Sequence, residues 1–508
     1  MIAIGSQCGG TTGTLLDQSR ARRYSLVARK MAFEGMLEDP TINLVRTFLL
    51  MAFYMLGACH RNSAFMYLGV ASKSADILGL HASGTVRQLS GPERDTRLRT
   101  AKSLRVFDII CSSILGRQSS SLPLRSVFTP TTASEQDSSF HSSLALHAAW
   151  GLSSILDDIV KTFADDGKLD TAAAKDFLQK LNGWSRTLPP LLRERLPRNG
   201  RITNLGPERR RIMTGNVHIA SMYYFSVILV TRQFLVQHVM PQLYIRRQQS
   251  SPAADAPEVE DMSRGGTRET VEFSQTCIEA ATYMVQMCRD AMDAKIFWGN
   301  MCIMKAWVFA AGLVLGFPLL VDSGASIETL KAFDGSREVL HELGRLSPQA
   351  AQYHHILTAF SDAIATYRKQ VRHERRLLNG SFEVEPILSF DLTAVGAAEC
   401  VGCVDVGGIV GGGDGNSGGV GGSVEMQLPT PNLTACDDMS GFVVGDGGSI
   451  SGAGGMDLMD RYMANLPELL SPEILSERWP FPEDDGLMLR LLWDGYTTNV
   501  LDPMPQKG

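Results

Sequence analysis

The residues best suited to chemistry in this sequence are its cysteines and histidines, and their spacing argues against most of what they offer. One close thiol pair occurs, Cys400-Val-Gly-Cys403. Zinc needs about four ligands converging on one ion, and neither a second Cys-x-x-Cys nor a suitable histidine pair lies nearby. The pattern predicts no metal centre. His354 and His355 are adjacent, so on a helix they point to different faces, which is poor metal geometry. Ser, His and Asp are present, but no nucleophile elbow, zincin helix or paired-glycine fingerprint frames them. The glycine run at 411–419 lacks the Lys-Ser/Thr ending of a phosphate loop. The expectation is therefore a protein that is not an enzyme, with no catalytic residue and no cofactor. Two side chains keep a polar role. His81 closes a helix and caps or packs there, since proton work would need a placed partner. Arg117 ends another, where its guanidinium could bind an anionic effector or pair with Asp108 or a helix C-terminus.

The elements that position these residues read as helices throughout, with no strand-type alternation competing. Asn62 or Ser63 can cap a helix with Leu68, Ala71, Ala75 and Leu78 on one stripe, and Gly79 supplies a left-handed stop. Ser90-Gly-Pro-Glu93 forms a capping box. It opens a second helix with Leu98, Ala101, Leu104, Phe107, Cys111 and Ile114 inward, and with Arg97, Arg99, Lys102 and Arg105 mostly off the stripe. The two are expected to pack antiparallel. Upstream, Ala21–Leu37 predicts a helix with Tyr24, Val27, Ala28 and Met31 on one side, and Thr41–Cys59 a buried one. Downstream, helices are expected over Ser139–Ala164, Asp170–Leu181, Glu208–Val239 (ended by Pro241), Glu269–Ala294, Ile296–Pro318, Ile327–Gly344 and Pro348–Arg376. Aromatic and Met residues of Met222–Phe234 and Phe297–Phe317 are core or the lining of a pocket between helices.

These residues carry a resemblance. Tyr67-Leu68-Gly69-Val70-Ala71, Leu78-Gly79-Leu80-His81, Glu93-Arg94, Phe107-Asp108 and Leu115-Gly116-Arg117 resemble the middle regulatory domain of fungal zinc-cluster transcription factors. A weaker likeness extends from about Tyr24 to Arg376. Gln118 and Gln233 stand where the family commonly has proline, and Ala101-Lys-Ser-Leu-Arg105 replaces an aromatic-rich centre. The resemblance implies an irregular all-α domain and a transcriptional regulator working in the nucleus. Its implied partners are the transcription machinery or co-regulators and related zinc-cluster factors as dimer mates. The six-cysteine cluster that reads DNA in that family is missing from this sequence. DNA contact is thus expected only through a missing or partner domain, and zinc only with it. An alternative expectation is a modulator that does not bind DNA itself; another is an all-helical small-molecule-binding protein or enzyme.

Composition sets the larger organisation. The 508 residues are 44% hydrophobic and 20% charged with a formal net charge of −6, which suits a large folded core and does not advertise nucleic-acid binding. Cysteines such as Cys59, Cys111 and Cys302 within apolar runs suit reduced thiols of an intracellular protein. Met301–Val321 is long enough to span about 30 Å of hydrocarbon, but Pro318, Lys305 and the flanking helices favour a buried core helix, so no membrane partner is expected. Residues 1–20 read as a loose terminus, 21–378 as the helical domain, 248–266 as a disordered insert within it, and 395–455 as a glycine-rich tether. Residues 456–508 are acidic and hydrophobic together, the pattern of an activation segment. Within it, Leu487, Leu491 and Leu492 share a helical face with Trp493 at its edge.

Overall fold

A helix that is apolar on every side can only be satisfied at the centre of a bundle, and that is where Met304–Val321 lies. The computed structural model of the chain describes residues 1–8, 15–36, 40–82, 90–121, 138–194, 206–250, 268–297, 299, 301–321 and 326–378. Among them are twelve α-helices and no strand. In chain order these are α1 Ile2–Cys8, α2 Leu15–Met36, α3 Ile42–Gly57, α4 Arg61–Ile77, α5 Gly91–Leu115, α6 Ser138–Asp166, α7 Thr171–Thr187, α8 Pro207–Ser250, α9 Arg268–Asp293, α10 Met304–Val321, α11 Ile327–Gly344 and α12 Pro348–Leu378, with a single 3-10 turn at Pro190–Arg193. The protein is all-α.

α10 is packed by α8, α9, α11 and α12. Its glycines let the neighbours come close. A Cβ on Gly312 would fall 2.4 Å from Leu357, and one on Gly316 would fall 2.1 Å from Phe360. Gly316→Ala is therefore expected to cost about 1–3 kcal/mol through overpacking, read as a lower thermal midpoint. Gly69→Ala serves as its control, because a Cβ there meets nothing within 4 Å. Two described helices, Pro207–Leu243 within α8 and α10, are long and apolar enough to cross a membrane. Both bury most of that surface against the bundle, α10 to 89%.

The N-terminal layer corrects several expectations. Residues 1–20 are not simply loose: α1 forms, Ala3 packs with Ala21 and Tyr54, and Gln7 Nε2 donates to Tyr54 O at 3.1 Å. The Tyr24, Val27 and Met31 face of α2 is exposed, and Ala21 and Ala32 face inward instead. Amphipathic spacing shows which residues share a face but not whether a neighbour covers it. α3 is capped by Thr41, whose Oγ1 accepts from Leu44 N–H at 3.2 Å, and it is buried on one side only, with Leu50 and Phe53 exposed. α4 begins at Arg61 with His60 in the cap position and no side-chain cap bond, not at Asn62 or Ser63. It packs chiefly along α3, while its contact with α5 is the smaller one. Ser90 holds the expected cap position of α5, but its side chain makes no cap bond and Glu93 pairs with Arg97 instead.

Further along, α7 passes through Gly183, and α8 passes through Pro241 to Ser250. Proline in a helix removes one N–H and crowds the preceding turn; there Gln242 folds its amide back to donate to His238 O at 3.1 Å. α10 starts eight residues later than the apolar run suggests, because the backbone first turns through left-handed conformations at Lys295 and Met301. Residues 251–266 of the expected insert, the tether at 395–455 and the tail at 456–508 lie outside the described residues.

Candidate functional site

Two helices that bear apolar and aromatic residues at three- and four-residue spacing on facing sides leave a groove when no third helix fills it. α8 presents Met213, Asn216, Val217, Ala220 and Tyr224, and α9 presents Tyr283, Gln286, Met287 and Asp290. Trp184, Ser185 and Arg186 at the end of α7 and the 3-10 turn close the third side, enclosing a cavity of about 1040 Å³. Four rings run along its wall. Trp184 stacks on Tyr223 at 5.9 Å, Tyr223 meets Tyr224 at 5.5 Å, and Tyr224 meets Tyr283 at 6.2 Å.

Each wall is fixed from behind. Trp184 Nε1 donates to Ala148 O at 3.2 Å, and Gly151 leaves room for that indole. Asn216 Nδ2 donates to Leu191 O at 3.0 Å, which pins the 3-10 turn to α8. Arg193 donates to Ser185 O at 2.7 Å and Arg186 O at 2.5 Å, a cation placed on the carbonyl end of α7. Burial raises the Tyr223 hydroxyl above its ordinary pKa, with a hydrogen bond to Ser185 acting the other way. The Tyr223 hydroxyl therefore stays neutral near pH 7. The groove offers aromatic faces, amide and hydroxyl hydrogen bonding, and charges of both signs at its rim (Arg186, Arg193, Asp290). That lining suits a flat or aromatic small molecule with polar edges.

The residues singled out from the sequence lie elsewhere. Tyr67 sits among the Phe33 and Phe48 rings, and Leu68 and Ala71 are fully buried. Gly69 meets open space. Leu78 caps α4, Gly79 takes φ 63°, and Leu80 N–H reaches back to Ala75 O at 3.0 Å with its side chain buried. His81 Nδ1 lies 3.7 Å from Asp76 Oδ1, too long for a hydrogen bond. Phe107 packs on Phe53 at 5.7 Å. Asp108 is buried and accepts from Ser121 N–H and Oγ at 2.7 Å, not from Arg117. Desolvation raises its pKa, and those hydrogen bonds offset part of the rise. Leu115 is buried, Gly116 takes φ 63°, and Arg117 donates to Asn62 Oδ1 at 2.8 Å above the Phe65 ring. Tyr67 ties α4 to α2 and α3, Phe107 ties α5 to α3, Arg117 ties the end of α5 to α4, and Asp108 holds the turn after α5; none lines the groove. Of Met222–Phe234 and Phe297–Phe317, read as core or as pocket lining, Phe225 against Trp307 and Phe234 against Phe273 are core, whereas Tyr223 and Tyr224 line the groove. Leu487, Leu491, Leu492 and Trp493 lie outside the described residues.

Two positions that depart from the family pattern make contacts of their own. Gln233 accepts from Leu169 N–H at 3.1 Å and donates to Leu169 O, clamping the α6–α7 turn to α8. Arg105, expected off the inward stripe, is buried. It meets Asp157 of α6 at 2.6 Å and also donates to Ser121 O. Sequence reasoning missed the sides of the groove given by α7 and α9. The groove's signal was an aromatic, Tyr283, on the polar side of a strongly amphipathic helix.

Residues 1–175 match a family model described as the fungal specific transcription factor domain. The match spans α1 to α6 and the start of α7, so it contains every motif position from Tyr67 to Arg117 and bears out the resemblance carried by them. No curated protein and no solved structure matches the chain.

Proposed function

We propose that the chain, with its fungal specific transcription factor domain as premise, regulates RNA polymerase II transcription in the nucleus as a member of the zinc-cluster class. The observation that carries this reading is the family match over residues 1–175. In this scheme the helical part receives a signal and the tail at 456–508 delivers it to co-regulators or the transcription machinery. The groove walled by Trp184, Tyr223, Tyr224 and Tyr283 is the receiving site. DNA is reached through a zinc cluster on a missing or partner domain, a related factor among the possible mates, and the chain itself works without a cofactor. It acts by contact and not by catalysis.

Fusion of the full chain to an unrelated DNA-binding domain in a fungal reporter strain tests this. The fusion is expected to raise reporter output well above that of the DNA-binding domain alone. Leu491→Ala with Trp493→Ala should return it to background, since an acidic-hydrophobic segment works through its apolar face. Ala220→Trp, which fills the groove, should change the output while leaving the thermal midpoint close to that of the parent. A silent full-length fusion sinks the regulatory reading. An active fusion indifferent to Ala220→Trp removes the groove from it.

A further inference from the structure

Lys305 has no role in the scheme above, and its setting is costly. It lies in α10 with none of its surface exposed, and among the described residues no carboxylate pairs with it. A buried ammonium without a counter-ion is strongly unfavourable. Its hydrogen bonds go to Ser347 Oγ at 2.8 Å and to Cys59 Sγ at 3.6 Å. Ser347 Oγ lies 4.0 Å from Cys59 Sγ, so the three atoms close a triangle. Ser347 also accepts from Ala350 N–H at the start of α12, whose positive end therefore lies near the amine. Burial lowers the lysine pKa, partly offset by Cys59 and Cys302, which favours the neutral, nucleophilic amine.

Cys59 is placed as its partner. Its backbone has φ 64°, a left-handed conformation unfavourable for a residue with a Cβ that persists where the surroundings require it. It is half-buried, whereas Cys111, Cys277, Cys288 and Cys302 are fully buried. Burial pushes the Cys277 and Cys288 thiols up to about 12, so they hold almost no thiolate. Among these five cysteines, a small oxidant arriving from solvent meets Cys59 first.

We propose that Cys59 and Lys305 form a modification site at which a peroxide joins thiol and amine in a reversible sulfenamide bond. In the first step the Cys59 sulfur attacks the peroxide O–O bond. The sulfur is oxidised by two electrons to a sulfenic acid, and the peroxide is reduced to water. In the second step the Lys305 Nζ lone pair attacks that sulfur. The S–O bond breaks, an S–N bond forms, and the hydroxide leaves as water with a proton from nitrogen. In sum, thiol, amine and hydrogen peroxide give sulfenamide and two waters. Two equivalents of a small thiol reverse it: the first displaces the amine from sulfur and the second reduces the mixed disulfide. The bond would tie the α3–α4 turn to α10 across 246 residues of chain, and closing so long a loop should raise the thermal midpoint.

The test uses the purified, reduced full chain, exposed to hydrogen peroxide, denatured, alkylated and digested for mass spectrometry. The expected product is a peptide pair joining Cys59 to Lys305, lighter than the two summed peptides by two hydrogens and separated by dithiothreitol. Lys305→Met should abolish the pair and leave Cys59 as sulfinic acid. Cys59→Ser should abolish it and leave Lys305 unmodified, with an unoxidised thermal midpoint close to that of the parent. Wild-type Cys59 found as sulfinic acid beside a free Lys305, or in a disulfide with Cys302, overturns the proposal. Should Lys305→Met fail to fold, the wild-type product and Cys59→Ser decide the matter by themselves.

Discussion

Asp157→Ala is expected to destabilise the helical domain by about 3–5 kcal/mol, because it strands a buried guanidinium. Arg105 and Asp157 are 7% and 6% exposed and meet at 2.6 Å. The carboxylate also takes a hydrogen bond from Ser119 Oγ at 2.9 Å and one from Lys161 Nζ at 2.6 Å. Lys161 is half-exposed and can return to water; Arg105 cannot. The same guanidinium reaches Ser119 and Ser121, and Ser121 in turn donates to Asp108 Oδ2, so the segment after α5 depends on the pair. Chemical denaturation of Asp157→Ala against the parent measures the loss. The double variant Arg105→Met with Asp157→Leu should recover most of it, since two apolar groups leave no orphan charge. A single variant as stable as the parent would show that water already reaches Arg105.

The second large effect is expected at Leu68. Its side chain is fully buried in α4, with Ala64, Ala71 and Ala75 buried on the same helix. Leu68→Asp places an unpaired carboxylate there, a change in the class that exceeds about 4 kcal/mol. The variant should be recovered as aggregate, or should lack a cooperative unfolding transition by calorimetry. Met66, two residues away, is 70% exposed, and Met66→Asp should stay within about 0.5 kcal/mol of the parent. A soluble, cooperatively folding Leu68→Asp would remove α4 from the core.

Much of the helical order was legible because local signals and tertiary burial agree. Ile327–Gly344 was anticipated to the residue, with Ser326 accepting from Glu328 N–H as its cap. Gly79 and Gly116 stop their helices in the left-handed conformation that glycine allows. What was not legible depends on partners far along the chain. Arg105 looks like a surface residue until Asp157, 52 positions later, is brought against it. Pro241 looks like a helix end, yet the helix continues through it, with Gln242 bonded to His238 O alongside. The exposed face of α2 has the same spacing as a buried one. The groove had only one local signature, Tyr283 on the polar side of α9, since Trp184, Tyr223 and Tyr283 come from three helices and mean something only once those helices are side by side.

The length of α8 has a mechanical consequence. Its 44 residues make one rod, about 66 Å long at 1.5 Å per residue. Tyr223 on the groove wall, Gln233 at the Leu169 clamp and Phe234 against Phe273 are all fixed to it. Whatever draws Tyr224 toward Tyr283 must therefore tip the whole lever or bend it. A tilt of about one degree around the midpoint displaces each end by roughly half an ångström, simply from the rod's half-length. Displacements of that size are too large for a close-packed interior to absorb without repacking. Occupancy of the groove would then be registered at both tips of the lever, the far one some thirty residues from Ala220 on the groove wall.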